Sequence, residues 1–196
     1  MLSIRLGLGL GLLALGAGAY ATDLSFAGTA DDAFVAYVST SATSVGGSFV
    51  SGNSWGTTST GSTTLTAGVV NYLHVDAFDV AGAPSMFLAE LGLSDTDFAF
   101  DNNTQSALTG DAGWTASTVG FGGISSSITN LGPNGTSPWG SRPGISPNAS
   151  YVWTDGDVSA HRYFTIRINP TAVVPEPASI AALGLGALVL LRRRRK

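Results

Sequence analysis

Apolar and polar residues alternate along much of this chain with a period of two, the pattern of strands with one buried face. Residues 33–39 read AFVAYVS, with Phe34, Ala36 and Val38 on one side and Val35 and Tyr37 on the other. In VNYLHVDAF, residues 70–78, Leu73, Val75 and Ala77 share a face opposite Tyr72, His74 and Asp76. In SMFLAEL, residues 85–91, Met86, Leu88 and Glu90 stand opposite Phe87, Ala89 and Leu91. DFAF (97–100), WTAST (114–118), YVWT (151–154) and YFTIRI (163–168) continue the series, with Gly, Asn, Asp and Pro between them. Helical periodicity is nearly absent. Many short strands joined by polar turns predict an all-β fold, an antiparallel β-sandwich.

Two stretches break the pattern. Residues 54–68 are rich in Ser and Thr and are expected to form one or two exposed strands around Gly61. Residues 132–150 hold four prolines and are too punctuated for regular structure. Loops of that length are often functional. Trp139 lies within it and is expected to be exposed. Pro170 is expected to end the last strand.

The two ends follow a different pattern. Arg5 precedes an uncharged Leu, Gly and Ala run, and Ala19-Tyr20-Ala21 supplies small residues where a signal peptidase inspects the chain. Cleavage after Ala21 would leave Thr22 first. The predicted organisation is a signal peptide at 1–21, a sandwich domain at 22–170, a spacer at 171–174 and a terminal segment at 175–196. That segment holds Pro175-Glu176-Pro177, an uncharged run at 178–191, and Arg192, Arg193, Arg194, Arg195 and Lys196. As a helix the run would extend about 21 Å, short of a hydrocarbon core of about 30 Å. The five cations then act as a cytoplasmic stop. Both ends are expected to be helical, flanking the sandwich.

Removing the ends changes the charge. The whole chain carries −4, but residues 22–174 hold twelve Asp or Glu against Arg142, Arg162 and Arg167, a net −9. Nucleic-acid binding through phosphates needs a cationic face and is excluded. No cysteine is present, so disulfides, thiol catalysis and Cys-ligated metals are excluded too.

The tripartite terminus resembles the PEP-CTERM sorting signal. That resemblance rests on Pro175, Glu176 and Pro177, the hydrophobic run, and Arg192 to Lys196. It implies recognition by an exosortase, an integral-membrane protease or transpeptidase, and processing near Pro-Glu-Pro. It also implies transient residence in the membrane, then delivery to the cell surface or extracellular matrix of a Gram-negative bacterium that makes exopolysaccharide. The body resembles a galactose-binding-like jelly roll over about residues 28–114. Asp31, Asp32, Phe34 and Tyr37 carry one part of that likeness. Leu65, Gly68, Asn71, Leu73, Val75 and residues 86–91 carry the other, with Val70 inserted. Fold likeness supplies no ligand.

Candidate chemistry is sparse. A hydrolytic triad needs a positioned His. His74 is expected at a surface or edge and His161 in a loop. There is no Gly-x-Ser-x-Gly, so no enzyme is expected. Asp95, Asp97 and Asp101, with Asp155 and Asp157, offer hard oxygens that suit calcium, though Asp also serves simply as turn punctuation. The preferred reading has no cofactor. Flat aromatic rings can stack on sugars, and Trp139 and Trp55 are the candidates. Trp153 and Trp114 are expected in packing. The chain therefore reads as a structural, exopolysaccharide-associated surface protein, with a carbohydrate-binding module as the alternative.

Overall fold

The computed structural model describes residues 21–80, 82, 84–154 and 160–171. The expected terminal helices, the cleavage residue Ala19, the Pro175–Glu176–Pro177 motif, the cationic stop, and Asp155 and Asp157 lie outside these residues. Among the described residues no helix is long and apolar enough to cross a membrane.

Among the described residues thirteen strands follow in chain order: β1 Asp23–Asp31, β2 Ala33–Ser39, β3 Ser48–Gly52, β4 Ser59–Thr64, β5 Asn71–Phe78, β6 Met86–Leu93 and β7 Phe98–Phe100. They continue with β8 Ser106–Leu108, β9 Trp114–Ser117, β10 Ser125–Ser126, β11 Ile128–Pro133, β12 Ser150–Thr154 and β13 His161–Pro170. All pairings are antiparallel. One sheet runs β11-β12-β6-β1-β4 with β8 also on β6. The other runs β10-β9-β13-β5-β2-β3 with β7 also on β13. The fold is the expected all-β sandwich.

The alternating pattern explains how the sheets meet. Leu73, Val75 and Ala77 of β5 and Phe164, Ile166 and Ile168 of β13 point into the space between the sheets. They meet Leu24, Phe26, Phe87, Ala89, Leu91 and Trp153 from the opposite side, all buried in one cluster. Burying a large apolar side chain contributes about 1.5–3 kcal/mol, so this cluster holds the two sheets together. Residues 54–68 supply one strand, β4, with alternating half-buried and exposed positions.

Strand β6 is apolar on both faces because both faces are covered. Phe87, Ala89 and Leu91 enter the central core. Met86 and Leu88 pack outward with Trp139, Ile145, Ala149 and Tyr151 in a second cluster. Residues 132–150 form that cover. Between the end of β11 and the start of β12 at Ser150 the segment has turns and no strand, as its prolines dictate, yet it is packed down. Asn134 anchors it: its amide donates to the carbonyls of Arg142 at 3.1 Å and Ile145 at 2.9 Å, and its Oδ1 accepts from Arg142 N at 2.7 Å. The Glu90 carboxylate accepts from Ser146 N at 2.6 Å. Trp139 is therefore buried, at 6% exposure, against the expectation that it faces solvent. Its ring lies 5.0 Å from Tyr151, and Nε1 donates to Asp31 Oδ2 at 3.1 Å.

Five strands have little sequence signal: β1, β3, β8, β10 and β11. They are short or built from Gly, Ala, Ser and Thr, residues that alternate weakly in hydropathy. β1 is nonetheless internal, paired to both β4 and β6.

The two ends of the body meet at one turn, residues 94–97. Thr22 is buried, and its hydroxyl donates to Asp95 Oδ1 at 2.7 Å. Asp23 N donates to Ser94 Oγ at 2.9 Å. At the other end, Thr171 N donates to the Asp97 carbonyl at 2.8 Å, and Thr171 Oγ1 to the Thr96 carbonyl at 2.7 Å. Thr171, assigned by sequence to the spacer, is thus fastened to the sandwich.

Candidate functional site

The outward face of the β5–β13 pair is where the polar and aromatic halves of the alternation collect. Strand register sets Tyr72 beside Arg167, His74 beside Thr165, Asp76 beside Tyr163 and Phe78 beside His161. Strand β9 adds Thr115 and Ser117 on one flank, and β2 adds Tyr37 on the other. Two loops, residues 40–47 and 118–124, fold over this face. They touch at Gly122, whose φ of +72° suits glycine and where a Cβ would lie 2.3 Å from Thr43 Cγ2. Phe121 sits at the centre of the cover, with ring centroids 4.6 Å from His74, 5.1 Å from Tyr163 and 6.3 Å from Tyr37.

Beside Phe121 the loops leave a cleft of about 350 Å³, lined by Ala42, Tyr72, Asp101, Thr115, Tyr163 and Arg167 among others. That volume lies at the lower end of the range for small-ligand pockets. Tyr72, His74, Phe121 and Tyr163 hold one another at ring-contact distances, so the aromatic wall is fixed in place. Sequence reading missed this site. The signal was the outward set Tyr72, His74 and Asp76; its partners on β13 and in the loop are some 50 to 95 residues away.

His74 is the main correction. It is buried, at 0% exposure, because loop 40–47 covers it. Its ring bridges the Ser41 carbonyl at 2.9 Å from Nε2 and the Thr165 hydroxyl at 2.9 Å from Nδ1. A carbonyl only accepts, so Nε2 carries the hydrogen and Nδ1 accepts from Thr165. Burial lowers the pKa of this imidazole below its ordinary value of 6.5, with the Ser41 contact opposing. The unfolded chain then binds the extra proton first. His74 therefore contributes stability that is complete above pH 6.5 and is lost as pH falls toward the folded-state value. We expect the urea midpoint to fall between pH 7.5 and pH 5.5, and His74→Gln to show a smaller fall; an equal fall in the variant would show that other groups carry the effect.

His161 is exposed at the start of β13, with Nδ1 2.8 Å from Asp76 Oδ1. Burial raises the Asp76 pKa and the His161 contact opposes it. A base held by a carboxylate is half of a triad, but among the described residues no hydroxyl bonds to the other ring nitrogen of His161.

The remaining sequence candidates do not converge. Asp95 accepts from Thr22 and from Asp97 N, and the Thr22 contact lowers its pKa. Asp101 Oδ1 accepts from Asn169 at 2.7 Å, on the cleft side. Among the described residues no group of three or more His, Asp or Glu side chains could hold a metal ion. Trp55 is exposed, at 42%, between β3 and β4, with the Arg142 guanidinium 5.1 Å over its ring, and does not line the cleft. Trp139 is too buried to stack on a sugar.

A carboxylate group that the sequence did not single out as a unit ties the β1–β2 corner to residues 79–85. Asp32 Oδ2 accepts from Val80 N at 2.9 Å, and Asp79 is buried, accepting from Gly82 N and the Ser85 hydroxyl. Burial raises the Asp31 pKa; Trp139 opposes, and the charges of Asp32 and Asp79 add to the rise.

Beyond Thr171 the chain runs directly into its last segment, and here comparison with known proteins decides. Residues 173–196 match the PEP-CTERM protein-sorting motif. The PEP-CTERM match starts two residues after the body's last anchored position. It marks the chain as an exported, exosortase-processed, membrane-anchored precursor. No curated protein and no solved structure matches the chain.

Proposed function

We propose that this protein is a non-catalytic component of the cell surface or extracellular matrix of a Gram-negative bacterium, exported with the help of signal peptidase, sorted by exosortase and associated with exopolysaccharide. The observation that carries the reading is the PEP-CTERM match joined directly to an all-β body. The body's acidity, net −9 over residues 22–174, supports solubility outside the cell and opposes nucleic-acid binding. No cofactor is assigned. The test is fractionation of the native host. The mature protein is expected in the surface or polysaccharide-rich matrix fraction, released when that polysaccharide is digested. Mature protein confined to the periplasm would overturn the reading.

A second reading, a carbohydrate-binding module, is favoured by one observation: the aromatic cleft on the β5–β13 face. Its aromatics are Tyr72 and Tyr163, in place of the two tryptophans suggested by sequence.

A further inference from the structure

We propose that the cleft between the β5–β13 face and the loop carrying Phe121 binds a pyranose unit within an uncharged glycan chain. The inference rests on the carbohydrate-binding reading and names the site and the ligand class. Three features carry it.

The first is the wall. Tyr72 and Tyr163 are half-buried, with rings held by neighbours. Such rings present a flat apolar surface with a hydroxyl at the tip and little entropy left to lose on binding. Thr115, Thr165 and Ser117 place further hydroxyls around the cleft. An apolar ring face beside many neutral donors and acceptors matches the two faces of a pyranose.

The second is Arg167. The body has three arginines, and two are engaged. Arg142 donates to the Trp139 carbonyl and covers Trp55. Arg162 is buried, donating to the Thr154 and His161 carbonyls and lying over Trp153. Arg167 is exposed, lines the cleft, and its guanidinium makes no hydrogen bond or ion pair among the described residues. The register of β13 on β7, Ile168 opposite Phe100, carries Arg167 to the position facing Asp101. A guanidinium donor beside a carboxylate acceptor suits adjacent sugar hydroxyls, which both donate and accept.

The third is charge. An acidic polysaccharide would approach a body of net −9 and meet Asp101 in the cleft itself. One arginine does not offset that repulsion. An uncharged chain meets no such barrier, and its binding does not depend on salt.

The test uses the mature protein purified from its host, and the host's extracted exopolysaccharide separated by anion exchange into uncharged and acidic fractions. Affinity electrophoresis is expected to show retardation by the uncharged fraction, equal at low and high salt. Arg167→Ala and Tyr163→Ala should each weaken it about tenfold or more, with an unchanged urea midpoint for the exposed Arg167 variant. Retardation by the acidic fraction alone, no retardation by either, or full binding in Arg167→Ala overturns the proposal. So does a loss seen in Trp55→Ala in place of Arg167→Ala. Protein found in the matrix that binds neither fraction sinks this inference and leaves the matrix reading standing. Glycan binding by protein confined to the periplasm does the reverse.

Discussion

A chain with alanine at Pro175, Glu176 and Pro177 is expected to accumulate in its native host as an uncleaved precursor retained in the membrane. The reason lies in what proline forbids. Pro175 and Pro177 lack backbone N–H groups and restrict the residues before them to extended conformations. An extended segment is what a protease or transpeptidase can engage. Alanine is the strongest helix former, so the substituted stretch would favour helix in place of the extended backbone. The structure adds a distance. Thr171 is fastened by two hydrogen bonds to the turn at 94–97, and four chain steps reach Pro175. At 3.3–3.6 Å per residue, that is at most about 14 Å. Processing at this motif would therefore take place close against the folded sandwich, with little slack to compensate for a mispresented motif. Immunoblotting of membrane and surface fractions checks the outcome. Normal maturation and surface delivery of the triple variant would defeat the sorting assignment.

The second large effect is expected at Trp139. Replacement by alanine should destabilise the protein by about 3–5 kcal/mol, the usual cost of emptying a large buried aromatic site. The side chain belongs to the second apolar cluster with Met86 and Leu88, its ring tilted at 36° to that of Tyr151. Its indole N–H is also the donor to Asp31 Oδ2, a carboxylate already disfavoured by burial and by Asp32 and Asp79. Without that donor the Asp31 pKa should rise further. For a carboxylate the sign is clear: a raised folded-state value means stability is lost as pH rises through it, so the variant should be relatively better off in acid. Urea denaturation at two pH values reads both effects. A variant within about 0.5 kcal/mol of the parent would mean that segment 132–150 is not the cover described, since only surface substitutions are normally that mild.

How much of this was legible in the sequence depends on how far apart the partners lie. The inward faces of β5 and β13 could be read directly, because Leu73-Val75-Ala77 and Phe164-Ile166-Ile168 alternate strictly. The tail was equally legible, its three parts lying in one contiguous stretch. Burial of polar or aromatic residues by a distant cover was not legible. His74 stands on the polar side of its strand and is buried only because Ser41 and Phe121 come over it. Trp139 sits among prolines and glycines, a context that predicts irregular backbone correctly but carries no information about what that backbone covers. The cleft suffers the same limit. Tyr72, Asp101, Tyr163 and Arg167 come from three strand neighbourhoods, joined only by the register of β13 with β5 and β7.

The route of β13 has a mechanical consequence. This strand carries Tyr163 and Arg167 on its outer face and leads straight to Thr171 and the tail. While the precursor is held by its carboxyl end, a load applied to the outer face of β13 would travel along that strand toward the tail. The load runs parallel to the strand and across hydrogen bonds that lie perpendicular to it. To extract the strand, a pull must slide it past β5, β7 and β9 together, shearing many bonds at once where unzipping would break them singly. The turn at 94–97, which grips both Thr22 and Thr171, stands at the point where that tension enters the body.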